Sequence, residues 1–119
     1  MKVSVPEPPP VPKGDIVPTK LIKIINDMKQ CSDNEEVTQK LDSLIDLVQE
    51  RNNFGIAKYG QPLYSEDGRN GIEDARQELG DLLQYVCKIR MQKMNPKEVQ
   101  ELHKLIKTAL VVINYILSP

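Results

Sequence analysis

The chain has 119 residues, of which 16 are basic and 17 acidic, so its formal net charge is −1. This length suits one domain and leaves no room for two. The balanced charge excludes a global attraction to nucleic acid or to an anionic membrane. No segment reaches the roughly 18 apolar residues of a membrane span, and the first residues have no apolar signal core. Function is therefore expected in a local site.

The two cysteines, Cys31 and Cys87, are not spaced as a metal knuckle. Two thiols in a chain of this size are typical of a reducing compartment rather than of a disulfide framework. We therefore expect free thiols in a cytoplasmic protein that binds neither nucleic acid nor membrane.

Residues 1–18 contain six of the nine prolines. Because proline lacks the backbone donor and has a fixed φ, this segment cannot form a helix or a central strand. We predict a proline-rich arm over residues 1–18, followed by a helical domain over residues 19–119. The arm is either a disordered tail or an extended polyproline segment packed on another surface, such as a partner subunit. Apolar residues available for such packing are Val3, Val5, Val11, Ile16 and Val17.

Apolar residues at helical spacing predict two helices in the first half of the chain. The first covers residues 19–30, with an apolar face of Leu21, Ile22, Ile24, Ile25 and Met28. Ser32 and Glu35 form a capping box that predicts the start of the second helix. Its stripe consists of Val37, Leu41, Leu44, Ile45 and Val48. The pattern weakens at residues 52–55, and a loop punctuated by glycine and proline is expected up to Gly71.

Two more helices are predicted in the second half. Asn70 is a good N-cap for a helix that reaches about Gln92, and Asn95 followed by Pro96 starts a helix that continues past Ile113. No segment shows convincing period-two alternation, which argues against a β-sandwich or barrel. The predicted fold is all-α, an antiparallel bundle of about four helices.

The third helix carries Asp74, Glu78 and Asp81, spaced four and three residues apart. This spacing stacks three repelling carboxylates on one side, a cost that a divalent cation would offset. Gly80 costs about 1 kcal/mol relative to alanine inside a helix, which favours close approach of a ligand or of another backbone. Helix packing alone is the alternative. The second helix adds an acidic line of Asp42, Asp46 and Glu50, whose alternative interpretation is a solvated face.

The third helix contains the run Glu78-Leu79-Gly80-Asp81-Leu82-Leu83. It resembles the Glu-x-x-Asp helix of the MazG-like, all-α nucleoside triphosphate pyrophosphohydrolases. The preceding Lys58-Tyr59-Gly60-Gln61-Pro62-Leu63 is similar to the Lys-Tyr-Gly-x-Pro-Leu loop of small, phage-type members. The similarity covers roughly residues 50–90. The upstream helix departs from the family pattern, since it offers only Asp46 and Glu50 where members often carry Glu-Glu-x-x-Glu.

The resemblance implies hydrolysis of a ribo- or deoxyribonucleoside triphosphate to the monophosphate and pyrophosphate. It implies magnesium, with manganese as an alternative, held by acids of two helices, and a homo-oligomer, either dimer or tetramer. The candidate metal ligands are Asp46, Glu50, Asp74, Glu78 and Asp81. Glu50 and Glu78 are the candidate catalytic residues.

Four further residues are candidates for binding the nucleotide: Lys58, Tyr59, Arg69 and Asn70. Lys58 suits a phosphate, although an isolated lysine is often only solvated. Tyr59 could stack on a base or pack against the core. Asn70 is sufficiently explained as an N-cap. A noncatalytic helical module that binds proteins, with the proline arm as its contact, is the competing hypothesis for the whole chain.

Overall fold

The computed structural model describes residues 9–119. Four α-helices follow one another within this range: α1 Val17–Gln30, α2 Glu35–Tyr59, α3 Gly71–Gln92 and α4 Pro96–Leu117. Residues 9–119 contain no strand, and their only β-type pairing is an isolated antiparallel bridge between Ile16 and Tyr64. The all-α prediction with four helices is therefore confirmed. None of these helices is both long and apolar enough to cross a membrane.

Asparagine side chains cap three of the helices. The Asn70 side chain accepts hydrogen bonds from the backbone N–H groups of Ile72 and Glu73, and Asn95 accepts one from Lys97, so both predicted caps are confirmed. The capping box predicted at Ser32 is wrong. Helix α2 begins at Glu35, and its cap is Asn34, whose Oδ1 accepts from Val37 N at 3.1 Å. Asparagine is at least as good a capping residue as serine, and Asn34 directly precedes the first helical residue.

Helix α2 continues beyond the predicted weakening of its pattern. It reaches Tyr59 and ends at Gly60, which has a left-handed φ of 77° and donates its N–H to the Ile56 carbonyl. A left-handed residue is the usual way to stop a helix, and glycine takes this conformation without steric cost. Lys58 and Tyr59, predicted in a loop, therefore lie in the last turn of α2. The connecting loop covers residues 60–70.

The hydrophobic core lies between α1, α2 and α4. Its buried members are Ile25 from α1, Leu41 and Leu44 from α2, and Val112 from α4. Charged pairs flank this core at the surface: Lys29 with Asp42, Lys104 with Glu36, and Lys40 with Glu101. The hydrogen bond and charge of Lys40 hold the pKa of the Glu101 carboxyl below its ordinary value. Such exposed pairs add little stability, so the apolar contacts hold the three helices together.

The described part of the arm packs on the loop of its own chain. Backbone hydrogen bonds join Val11 to Asp67 and Val17 to Leu63, with further pairs between them at 2.8 to 3.0 Å. Residues 9–16 therefore form an extended segment on the loop of the same chain, and packing of the arm on a partner subunit stays a prediction. Val17 and Pro18, predicted in the non-helical arm, form the start of α1 instead, because proline is tolerated in the first turn of a helix. The predictions for Val3, Val5 and the first prolines lie outside the described residues.

Replacing Leu41 tests the position of the core. Leu41 is 2% exposed, and Leu47, on the same helix, is 44% exposed. We expect Leu41→Ala to lower the free energy of unfolding by about 2–5 kcal/mol, because it leaves a cavity. The matched Leu47→Ala change should cost about 1 kcal/mol or less. Urea unfolding monitored by circular dichroism measures both, and equal losses would contradict this core.

Candidate functional site

A pocket of about 370 Å³ lies at the end of the molecule where the arm meets the loop. The arm, α1, the C-terminal half of α2, the loop and the first turn of α3 all contribute to its wall. Most of the lining is apolar, and its charged residues come from α2, the loop and the first turn of α3. The lining residues are Pro10, Val17, Pro18, Leu21, Leu47, Val48, Arg51, Asn52, Gly55, Tyr59, Gln61, Pro62, Leu63, Asp67, Arg69 and Asp74.

Asp67 organises the loop side of this pocket. It is a buried acid, 6% exposed, and its Oδ1 accepts the backbone N–H of Arg69 at 3.0 Å. This bond closes an Asx turn, which the left-handed Gly68 allows, and it carries the chain from the loop to Arg69. The Asp67 carbonyl also accepts the N–H of Val11. One residue thus connects the loop with the arm.

The arm supplies the opposite wall. Gln61 Nε2 donates to the Pro10 carbonyl at 3.3 Å, which holds Pro10 at the pocket. Further along, Ser65 Oγ accepts the N–H of Asp15 at 2.9 Å. Gly14 lies between these contacts at a φ of +90°, and a Cβ there would meet Ser65 Oγ at 2.3 Å. The arm can follow the loop this closely because glycine occupies that position.

Two arginines line the pocket together with two aspartates. The Arg51 guanidinium carbon lies 4.3 Å from the centre of the Phe54 ring, a cation–π distance. Arg69 Nε lies 3.8 Å from Asp74 Oδ2, so this ion pair spans the junction of the loop and α3. A guanidinium presents several donors in one plane and suits phosphate or carboxylate groups.

The predicted nucleotide-binding residues fall into two groups. Tyr59 and Arg69 line the pocket. Lys58 and Asn70 do not. The Lys58 ammonium lies 5.2 Å from the centre of the Tyr59 ring, and the Asn70 side chain caps α3. The cap interpretation of Asn70 therefore accounts for its hydrogen bonds.

The predicted metal ligands are more dispersed. Asp74 lines the pocket, whereas the side chains of Asp46, Glu50, Glu78 and Asp81 are outside its lining and belong to exposed residues. Helix α2 packs against α1 and α4. Within residues 9–119, no three His, Cys, Asp or Glu side chains are grouped so that they could hold a metal ion. The described residues of one chain therefore do not assemble the expected two-helix acidic pocket.

Sequence reasoning missed four polar residues of the pocket: Arg51, Asn52, Gln61 and Asp67. The Asp67-Gly68 pair is a turn signal that could have marked the loop closure. Arg51 and Asn52 give no sequence signal, because they lie at the edge of residues 52–55, where the helical pattern weakens. Both side chains line the pocket because α2 continues as a helix to Tyr59.

No protein-family model, curated protein or solved structure matches the chain significantly. A functional assignment must therefore be argued from the residues of this site.

Replacing Gly14 with alanine tests the arm contact. The new Cβ would collide with Ser65 Oγ and with the Glu66 backbone, in addition to about 1–2 kcal/mol of left-handed strain. We expect the amides of Val11 and Glu66 to exchange with solvent at least about tenfold faster, since arm and loop separate.

Gly68→Ala is the matched control, because Gly68 has a similar φ of +85° but open space where the Cβ would stand. It should carry the strain without the collision. Hydrogen exchange followed by nuclear magnetic resonance compares the two variants. Equal acceleration at Val11 and Glu66 in both would contradict the close fit of the arm.

Proposed function

We propose that the chain is a magnesium-dependent pyrophosphohydrolase of nucleoside triphosphates. The pocket at the end of α2 is the observation that carries the proposal, because it combines apolar walls, an aromatic ring and two arginines. Its volume of about 370 Å³ falls within the range of small-molecule sites. The MazG-like resemblance of residues 50–90 supports the same assignment and supplies the reaction type.

The apolar part of the lining suits the base of a nucleotide, and the part with the arginines suits its phosphates. The apolar side, with Tyr59 at its edge, can receive a base, since aromatic rings stack on bases at low entropic cost. Arg51 and Arg69 can pair with phosphate oxygens through charge-assisted hydrogen bonds. To do so, Arg69 would have to share or exchange its ion pair with Asp74. Exchange of this ion pair would make the Asp74 carboxylate available at the first turn of α3.

The described residues of one chain can supply only some of the ligands that a magnesium ion needs. Residues 9–119 hold no group of three candidate ligands, so one chain offers no closed protein cage. Magnesium commonly needs only one or two carboxylates beside substrate phosphates and waters. Glu78 and Asp81, three residues apart on one side of α3, fit that smaller requirement. When bound, the ion would offset charge on the phosphates.

The proposal includes a homo-oligomer and a cytoplasmic location. Exposed leucine, isoleucine, valine and tyrosine side chains along α3 and the end of α4 support association. Two exposed free thiols, Cys31 and Cys87, support a reducing compartment. Glu50 stays a candidate catalytic residue under this proposal.

A noncatalytic interaction module is the second candidate. The absence of a three-ligand group within residues 9–119 and the exposed apolar side chains of α3 both favour it. Such a module would bind no nucleotide. The two candidates therefore differ in nucleotide binding, which can be measured without knowing the protein partner of the module.

Pyrophosphate release decides between them. The purified chain is incubated with magnesium and a panel of ribo- and deoxyribonucleoside triphosphates. We expect release from at least one of these, and we expect Glu78→Gln to reduce kcat at least about 100-fold while leaving the fold intact. Arg69→Gln should mainly raise KM, because it removes a phosphate contact present in the ground state.

Glu98→Gln is the matched control, an exposed acid in the first turn of α4 and outside the pocket lining. It should leave kcat and KM unchanged. No release from any nucleotide, or equal activity in Glu78→Gln, would remove the catalytic assignment and leave the interaction module.

A further inference from the structure

Helix α3 carries an apolar seam with the spacing of a coiled coil. Apolar residues recur at alternating intervals of three and four, which are the a and d positions of successive heptads. The seam consists of Ile72, Ala75, Leu79, Leu82, Val86 and Ile89. An apolar seam that runs along most of a 22-residue helix is typical of a helix that packs lengthwise against a second helix.

Residues 9–119 provide no such second helix. Helix α3 contains no buried residue, and Ile72 and Leu79 are 75% and 57% exposed. The core of α1, α2 and α4 takes no side chain from α3. Helices of soluble proteins owe most of their stability to a packed apolar face, so a helix of this kind needs a partner.

The charges of α3 are segregated along its length. Residues 71–81 carry four acids and one base, whereas residues 82–93 carry three bases and no acid. Two copies of α3 in parallel would place like charges side by side. Two copies in antiparallel orientation would place each acidic half beside a basic half, and their helix dipoles would also oppose each other.

We propose that a second copy of this chain covers the seam, with the two α3 helices antiparallel and centred near Asp81 and Leu82. This arrangement specifies the surface and orientation of the homo-oligomer and does not depend on catalysis. Leu79 and Leu82 then lie at the middle of the contact, where interface residues contribute most to affinity. Asp74 and Glu78 of each copy lie along the basic half of the other.

A charged residue in the seam tests the surface. We expect the wild-type chain to sediment as a dimer or a larger assembly built on it. Leu79→Glu should raise the dissociation constant at least about thirtyfold, since it places a charge in a desolvated contact. Met91→Glu is the matched control, because Met91 is 76% exposed on the opposite side of the same helix. It should leave the dissociation constant unchanged.

A spin-label distance tests the orientation. In a chain with Cys31→Ser and Cys87→Ser, a single label is attached through Glu73→Cys. Antiparallel helices centred between residues 81 and 82 separate the two labelled backbones by about 25 Å along the axis, whereas parallel helices leave them about 10 Å apart. Electron paramagnetic resonance measures this separation in the assembled protein.

The proposal is overturned by a monomeric wild-type chain at tens of micromolar, by unchanged association of Leu79→Glu, or by equal weakening in both glutamate variants. A label separation near 10 Å overturns the antiparallel orientation. Because none of these measurements uses a nucleotide, failure of the pyrophosphate assay leaves them unaffected. Urea unfolding confirms that both variants keep the core of α1, α2 and α4.

Discussion

The packing of α2 between α1 and α4 is the constraint on which the rest of the molecule depends. Ile25, Leu41, Leu44 and Val112 converge there and use the apolar faces that these helices offer towards one another. Helix α3 is left outside this core with a continuous apolar seam of its own. A chain of 119 residues buries a limited core, and here the core is complete without the helix that carries most of the candidate chemistry.

The same constraint shapes the pocket. Helix α2 extends beyond the core to Tyr59, and its last turns form one wall of the pocket. The loop that follows returns along these turns to the start of α3. The arm then fills the space beside the loop, held by backbone bonds that Gly14 and Asp67 allow. The pocket is thus a product of the long second helix and the arm. Asp74 is the point where it touches α3.

The sequence predicted what depends on local periodicity and capping. Four helices, the Asn70 and Asn95 caps and the core positions of Leu41 and Leu44 follow from apolar spacing and side-chain preferences. The apolar pattern does not predict the end of α2 at Gly60, because residues 52–55 dilute its apolar stripe. The proline content predicts an extended backbone for the arm, but it does not identify the surface on which the arm packs. The convergence of acids from two helices could not be judged from spacing on one helix, because it depends on tertiary and quaternary contacts.

The exposed side chains of α3 take part in both the proposed pyrophosphohydrolase activity and the proposed antiparallel dimer. Glu78 and Asp81 lie beside the seam, so a second copy would change their surroundings directly. Hydrogen exchange of the α3 amides at several protein concentrations tests this connection most directly. We expect the protection of the α3 amides to rise with protein concentration, while that of the α1, α2 and α4 core amides stays constant. Protection of α3 that is independent of concentration, across a range in which the wild-type chain dissociates, would contradict this expectation.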